Sequence, residues 1–124
     1  MPSSAPGGAT AREAVERFMS AAKVQNLDAM SNVWGSSDGP VRSTMDRQTW
    51  EMREVVFMRC LRHDTWRITG ESPAAGGERV LVVELKYQDL TRSTNLNVTP
   101  GPEQRWFVKS VDTASLQSIC ERPL

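Results

Sequence analysis

The chain has 124 residues, enough for one domain with a hydrophobic core. Its 15 basic and 15 acidic residues cancel, which argues against a nucleic-acid-binding protein and against a polybasic membrane patch. The hydrophobic content of 39% is that of an ordinary globular protein, and no apolar run approaches the roughly 20 residues that span a bilayer.

The first nine residues, MPSSAPGGA, are small and uncharged apart from the amino terminus. Such side chains do not pack, so we expect residues 1–9 to form a disordered leader and residues 10–124 to form a single domain. The leader resembles the segment that remains after removal of an export signal, with Met1 added as a start. This predicts an exported protein that is periplasmic, secreted or lipid-anchored. A cytoplasmic protein could carry the same tail, so a cytoplasmic location stays the alternative.

Two helices are predicted near the amino terminus. Thr10 and Glu13 have the spacing of a capping box, in which a hydroxyl and a carboxylate satisfy the free amides at a helix start. Apolar residues then recur at helical spacing, which predicts a first helix over about residues 11–25. A second, shorter amphipathic helix starts at Leu27, and Gly35 supplies its carboxyl-terminal stop.

A third helix is predicted after the turn sequence SSDGP at 36–40 and a brief extended piece at 40–42. Thr44 and Asp46 both offer an amino-terminal cap for it. On or beside one face this helix carries Trp50, Arg53, Val56, Phe57, Cys60 and Leu61.

After Asp64 the apolar residues alternate with polar ones, which is the period of β-strands. Four such segments, joined by short turns, predict an antiparallel meander. The inward positions are predicted to be Leu81, Val83, Leu85, Leu96 and Trp106, with Phe107, Lys109 and Val111 on the face opposite Trp106. The last piece, TASLQSIC at 113–120, is predicted to be a turn or short helix that returns to the body of the domain.

Helices followed by an antiparallel sheet predict an α+β fold. Three stretches carry a resemblance to the NTF2-like (cystatin-like, cone-shaped) superfamily. Residues 14–35, AVERFMSAAKVQNLDAMSNVWG, are similar to that family's opening pair of helices. Residues 39–43, GPVRS, lie where its short first strand would be, and the alternating segments after Asp64 look like its curved sheet. The resemblance implies three helices packed on a curved sheet of about four strands around a conical cavity.

Members of that superfamily use the cavity for isomerisation, dehydration, epoxide hydrolysis, ligand binding or nothing, and many form dimers through the outer sheet face, so fold does not fix function. The resemblance implies a pocket for a small apolar ligand, and the alternative is that its aromatic and methionine side chains fill the cone. The expected lining residues are Phe18, Met19, Trp34, Trp50, Leu85 and Trp106.

A cone-pocket enzyme of the ketosteroid-isomerase type is the rival interpretation. Such a site needs a carboxylate base, and Asp38 lies roughly where the family's base falls, although Asp is also an ordinary turn residue in SSDGP. Arg53 with Glu54 or Asp46 is the other candidate group, and we expect it to be a solvated charge pair.

The stretch RCLRHDT at 59–65 contains Cys60, His63 and Asp64, which could form a nucleophilic site. Alternatively, Cys60 points into the core and His63 ends a helix. Cys60 and Cys120 predict a disulfide and therefore an oxidising compartment, with two buried free thiols as the alternative. One histidine and two distant cysteines do not have metal-ligand spacing, so no metal or other cofactor is predicted.

These observations predict a non-catalytic exported domain that binds a small apolar ligand or a protein. The alternatives are an enzyme that uses Asp38 as its base and a structural homodimerisation domain.

Overall fold

The computed structural model describes residues 5–123, so residues 1–4 of the predicted leader and Leu124 lie outside the described residues. None of the helices within this range has the length and apolarity needed to cross a membrane. The elements in chain order are α1 (Ala11–Val24), α2 (Leu27–Ser31), β1 (Gly35–Ser36), β2 (Gly39–Pro40), α3 (Val41–Thr44), α4 (Arg47–Cys60), β3 (Thr65–Pro73), β4 (Arg79–Tyr87), β5 (Leu90–Pro100), β6 (Trp106–Val111) and α5 (Gln117–Cys120).

Helices α1, α2 and α4 begin at residues whose side chains cap them. The Thr10 hydroxyl accepts a hydrogen bond from the Glu13 amide at 3.0 Å, and Asn26 caps α2 in the same way. Asp46 caps α4 by accepting from the Thr49 amide and hydroxyl, and these bonds hold the pKa of Asp46 below its usual value. The starts of α1 and α4 therefore follow from residues within one turn of them.

The end of the second helix and the extent of the extended piece at 40–42 differ from the predictions. In both places backbone hydrogen bonds to another segment replace the predicted local structure. The second helix ends at Ser31 because Val33 and Trp34 leave it to run beside β6, where the Val108 amide donates to the Val33 carbonyl at 2.9 Å. The piece predicted to be extended at 40–42 is extended only at its first residue, since β2 pairs with β1 and α3 follows directly.

The four long strands form one antiparallel sheet in the order β3-β4-β5-β6, which confirms the predicted meander and the α+β class. The predicted core positions Leu81, Val83, Leu85 and Leu96 have no exposed surface. Helix α1 packs across β4, β5 and β6, so the core lies between this helix and one sheet face.

Phe107 was expected on the outer face of the last strand, but it is only 1% exposed. Gly7 and Gly101 pack against its ring, and a Cβ built on Gly101 would lie 2.6 Å from a ring carbon. Trp106, predicted to be inward, is half-buried. The segments around Gly7 and Gly101 thus cover the outer face at this end of β6. The alternation of residues within the strand does not predict this cover.

Residues 5–9 are held against the domain, contrary to the prediction of a disordered leader. Gly8 and Trp106 exchange two backbone hydrogen bonds of 2.8 Å, and the Gly7 amide donates to the Asn32 carbonyl at 2.8 Å. The prediction from composition was wrong for these residues because they are held by backbone hydrogen bonds, which need no bulky side chain. A Cβ at Gly8 would lie 2.3 Å from a backbone nitrogen of α1, so this close approach requires glycine.

The carboxyl-terminal segment is fastened to the end of α4 by a disulfide and an arginine. The sulfur atoms of Cys60 and Cys120 are 2.02 Å apart, which confirms the predicted pair. The buried Arg62 guanidinium donates to the carbonyl oxygens of Ile119 and Arg122 at 2.6 and 2.7 Å. Arg62 therefore ties the last turn of α5 and the residue that follows Glu121 to the end of α4, an interaction that the sequence did not predict.

Candidate functional site

Helix α4 presents a strip of apolar side chains to solvent. Met52, Val55 and Val56 are 66%, 57% and 53% exposed. Their spacing of three and four residues makes them neighbours on one side of the helix. Single exposed apolar residues are common on protein surfaces, whereas apolar residues that join into a large contiguous patch mark interaction sites. We call Met52, Val55 and Val56 the α4 ridge.

The ridge faces outward because the buried face of α4 is turned relative to the predicted one, although Trp50, Cys60 and Leu61 are buried as predicted. Arg53 and Val56, which we expected to lie on the apolar face, are exposed, and Phe57 is only partly buried. Apolar residues lie all around this helix, so their pattern did not select a face. Contact with α2 and with the carboxyl-terminal segment selects it instead. The side chains that α4 and its last turn bury are Trp50, Glu54, Met58, Cys60 and Leu61.

A groove of about 370 Å³ lies between α4 and β6 on one side of the ridge. Trp34 and Phe57 lie against it with their rings nearly perpendicular and their centroids 5.0 Å apart. The indole of Trp34 donates to the Lys109 carbonyl at 3.3 Å, which fixes its position against β6. Val56 and Val111 border the same groove, so its surface is largely apolar.

A second hollow of about 280 Å³ lies on the opposite side of the ridge. Leu27, Val55 and Met58 supply its apolar lining, and Gln25 and Arg59 complete it. The ridge therefore stands between two depressions that both have apolar linings.

Cations surround the ridge without matching carboxylates. Arg53 makes no hydrogen bond or ion pair with any residue in the described range. The Arg59 guanidinium donates to the Cys120 carbonyl oxygen, a neutral acceptor. The carboxylate of Glu51 is already engaged by Arg47 at 2.7 Å. Arg47 also pairs with Asp28, so the start of α4 carries no excess of positive charge, and Arg53 and Arg59 are the two cations beside the ridge that pair with no carboxylate in the described range.

Glu54 was expected to be part of a solvated charge pair, and this expectation is wrong. Its side chain has no exposed surface, and neither carboxyl oxygen has a hydrogen-bond partner. Burial, with smaller contributions from the nearby charges of Asp28 and Glu51, raises the pKa of Glu54 to about 8. The carboxyl is therefore protonated at neutral pH. Because no water-sized opening touches it, a substrate cannot reach it in this conformation. Its position four residues after the buried Trp50 is the only sequence signal that could have indicated burial.

The residues expected to line an internal pocket are mostly packing residues. Phe18, Met19 and Leu85 have no accessible surface, so no water-sized void touches them, and Trp50 is 3% exposed. Trp106 lies at the end of the sheet, where it pairs with Gly8. Trp34 alone among the six borders the groove beside the ridge. Trp34 is itself only 6% exposed, so little of its side chain reaches that groove.

The alternative catalytic base, Asp38, lies exposed in the turn between β1 and β2. Its backbone amide donates to the Ser36 hydroxyl at 3.1 Å, as expected for a turn residue. Within residues 5–123 no three His, Cys, Asp or Glu side chains group closely enough to hold a metal ion.

The residues of RCLRHDT do not form a nucleophilic site. The Cys60 sulfur is bonded to Cys120, so it is not a free thiol. His63 is buried with Nδ1 2.8 Å from the Leu61 carbonyl oxygen, and burial lowers its pKa. Asp64 accepts a hydrogen bond from the Gln88 amide at 2.8 Å. Each of these residues has a structural partner, in agreement with the alternative that this stretch ends a helix.

In comparisons with known proteins, no family model, no curated protein and no solved structure matches the chain.

Proposed function

We propose that this chain is a non-catalytic interaction domain of an exported protein, and that a partner protein docks on the α4 ridge. One observation carries the proposal: Met52, Val55 and Val56 are exposed side by side between two apolar depressions. A monomer gains nothing from exposing such a surface, whereas a partner would remove it from water.

The architecture we propose is NTF2-like. The order of a long helix, a short helix, a brief hairpin, further helices and then a four-stranded meander supports it. The Cys60–Cys120 disulfide supports export, because disulfides persist in oxidising compartments.

The packed interior favours interaction over catalysis or internal ligand binding. The side chains expected to surround a central pocket leave no water-sized space around Phe18, Met19 and Leu85. The one buried carboxyl without a partner among the described residues, Glu54, is sealed from solvent. An apolar side chain of a partner would therefore bind at the surface, against Val56 and the partly exposed Phe57 and Val111.

The apolar side chains of the outer sheet face, Val80 and Val82, are half-buried opposite Asn97 and Asn95 of β5, so this face offers less apolar surface than the ridge for the homodimer that we expected as an alternative. Arg67 and Glu84 form an ion pair across this face at 3.0 Å, and Ser93 and Asn95 are exposed. This polarity favours the ridge as the interaction surface.

Selection from a peptide library displayed on phage tests the proposal. We expect the immobilised chain to enrich peptides that lose affinity by at least about tenfold for the double variant Val55→Asn, Val56→Asn, because the apolar contact is lost. Both side chains are largely exposed, so the variant should remain folded, as checked by thermal unfolding.

The matched control is Val24→Asn, because Val24 is 71% exposed but lies on α1. This variant should bind the selected peptides as the wild type does. Peptides that bind wild type and the double variant equally well would show that the ridge is not the docking surface.

A further inference from the structure

We infer that the partner presents an amphipathic helix with an apolar stripe flanked by carboxylates. This inference rests on the proposed function and adds the chemistry of the partner. It follows from the shape of the surface and from the charge around it.

The shape of the α4 ridge suits a second helix. Helices pack when ridges of side chains on one enter the grooves of the other. Val55 borders a hollow that contains Leu27, and Val56 borders the groove that contains Trp34 and Phe57. A helix that lies along α4 can therefore place apolar side chains in both depressions while it covers the ridge.

Two arginines beside the ridge are available to pair with anions of a partner. Arg53 has no ionic partner in the described range, and Arg59 donates only to a backbone carbonyl. Lys109 at the far rim is paired with Glu78 at 2.9 Å, and Glu51 is held by an arginine on its own helix. Asp112, beside the groove, and Glu121, beside Cys120, accept hydrogen bonds from the neutral side chains of Ser115 and Gln117, and neither forms an ion pair with Arg53 or Arg59. Complementary charges on the partner would supply specificity and speed association.

The same charges argue against a second copy of this chain on the ridge. Arg53 and Arg59 lie on opposite sides of the ridge centre along α4. A two-fold axis through Val55 and Val56 pairs the two helices antiparallel and brings Arg53 of one copy toward Arg59 of the other. Like charges brought together at an interface suppress that association.

Charge reversal tests the inference. The probe is a library of helical peptides with fixed apolar residues at i, i+3, i+4 and i+7 and with Asp, Glu, Lys, Arg or Ser at the flanking positions. We expect the wild type to enrich Asp and Glu, and the double variant R53E/R59E to enrich Lys and Arg. An acidic peptide selected on the wild type should bind R53E/R59E at least about tenfold more weakly, with affinity for the wild type falling as salt rises.

Two further variants make the test specific. R12E/R42E carries the same change in net charge at two exposed arginines away from the ridge, and it should enrich the same peptides as wild type. Because Arg59 also contacts the carboxyl-terminal segment, R53E alone provides a variant that leaves this contact intact, and it should show the same shift to a smaller extent.

The outcomes separate the inference from the proposed function. If the wild type enriches neutral or basic peptides that still require Val55 and Val56, the acidic partner is wrong and the interaction surface stands. If no enriched peptide requires Val55 and Val56, both fail. Sedimentation tests whether a second copy of this chain occupies the ridge. A wild-type dimer that V55N/V56N abolishes would overturn the inference in favour of a second copy.

Discussion

Replacing Glu54 by glutamine should remove one contribution to the pH dependence of the protein's stability. The folded-state pKa of Glu54 is about 8, and its ordinary value is 4.5. Between these values the folded carboxyl keeps its proton while the unfolded one loses it, so the contribution of Glu54 to the unfolding free energy falls as pH rises. The slope is about 1.4 kcal/mol per pH unit, which gives a loss of about 2.5 kcal/mol between pH 5 and pH 7. A glutamine side chain keeps the shape of the protonated carboxyl but does not titrate, so E54Q should not suffer this loss.

Urea unfolding followed by tryptophan fluorescence at pH 5, 6 and 7 measures this difference. The gap in unfolding free energy between E54Q and wild type should move in favour of E54Q by about 2.5 kcal/mol over that range. The control is E16Q, because Glu16 lies exposed on α1, and its gap to wild type should stay constant. If the E54Q gap also stays constant, Glu54 is solvated or paired, and our account of its burial is refuted.

Three further predictions concern the ends of the domain. Replacing Cys60 and Cys120 by serine opens a link across 60 residues and should lower the unfolding free energy by roughly 4 kcal/mol, while a loss under about 1 kcal/mol in urea titration would contradict the chain-entropy argument. Arg62→Met removes the charged donor to the last turn, so amide hydrogen exchange in the carboxyl-terminal segment should accelerate and stability should fall by at least about 1.5 kcal/mol. Unchanged exchange there would mean that the disulfide alone holds the segment. Gly101→Ala places a methyl group against the buried Phe107 ring and should cost about 1–3 kcal/mol by thermal unfolding, with an unaltered melting temperature as the contrary result.

The parts of the fold that were predicted well depend on residues close together in sequence. Thr10 and Asp46 start α1 and α4 because each side chain bonds an amide three residues later. Leu81 and Leu96 lie in the core because alternation along a strand assigns a whole face at once. The Cys60–Cys120 pair followed from the presence of only two cysteines.

The candidate site was predicted poorly for a different reason. Arg53 and Val56 were assigned to the buried face of α4, because apolar residues occur all around this helix and sequence spacing alone does not rank its faces. Because the buried face of α4 was assigned wrongly, the ridge was not predicted and Glu54 was expected to be a solvated charge.

The amino-acid sequence by itself determined the α+β class, the start of α1 and the inward positions of the central strands, and it indicated Cys60 and Cys120 as a disulfide pair with two free thiols as the alternative. Only the tertiary structure decided which side of α4 meets water, that the Glu54 carboxyl is enclosed, and that Gly7 and Gly8 lie along the end of β6. Caps and strand alternation are set by contacts within a few residues. The burial of a side chain depends on which remote segment covers it, and the backbone hydrogen bonds and close glycine contacts that place such a segment have no periodic signature in the sequence.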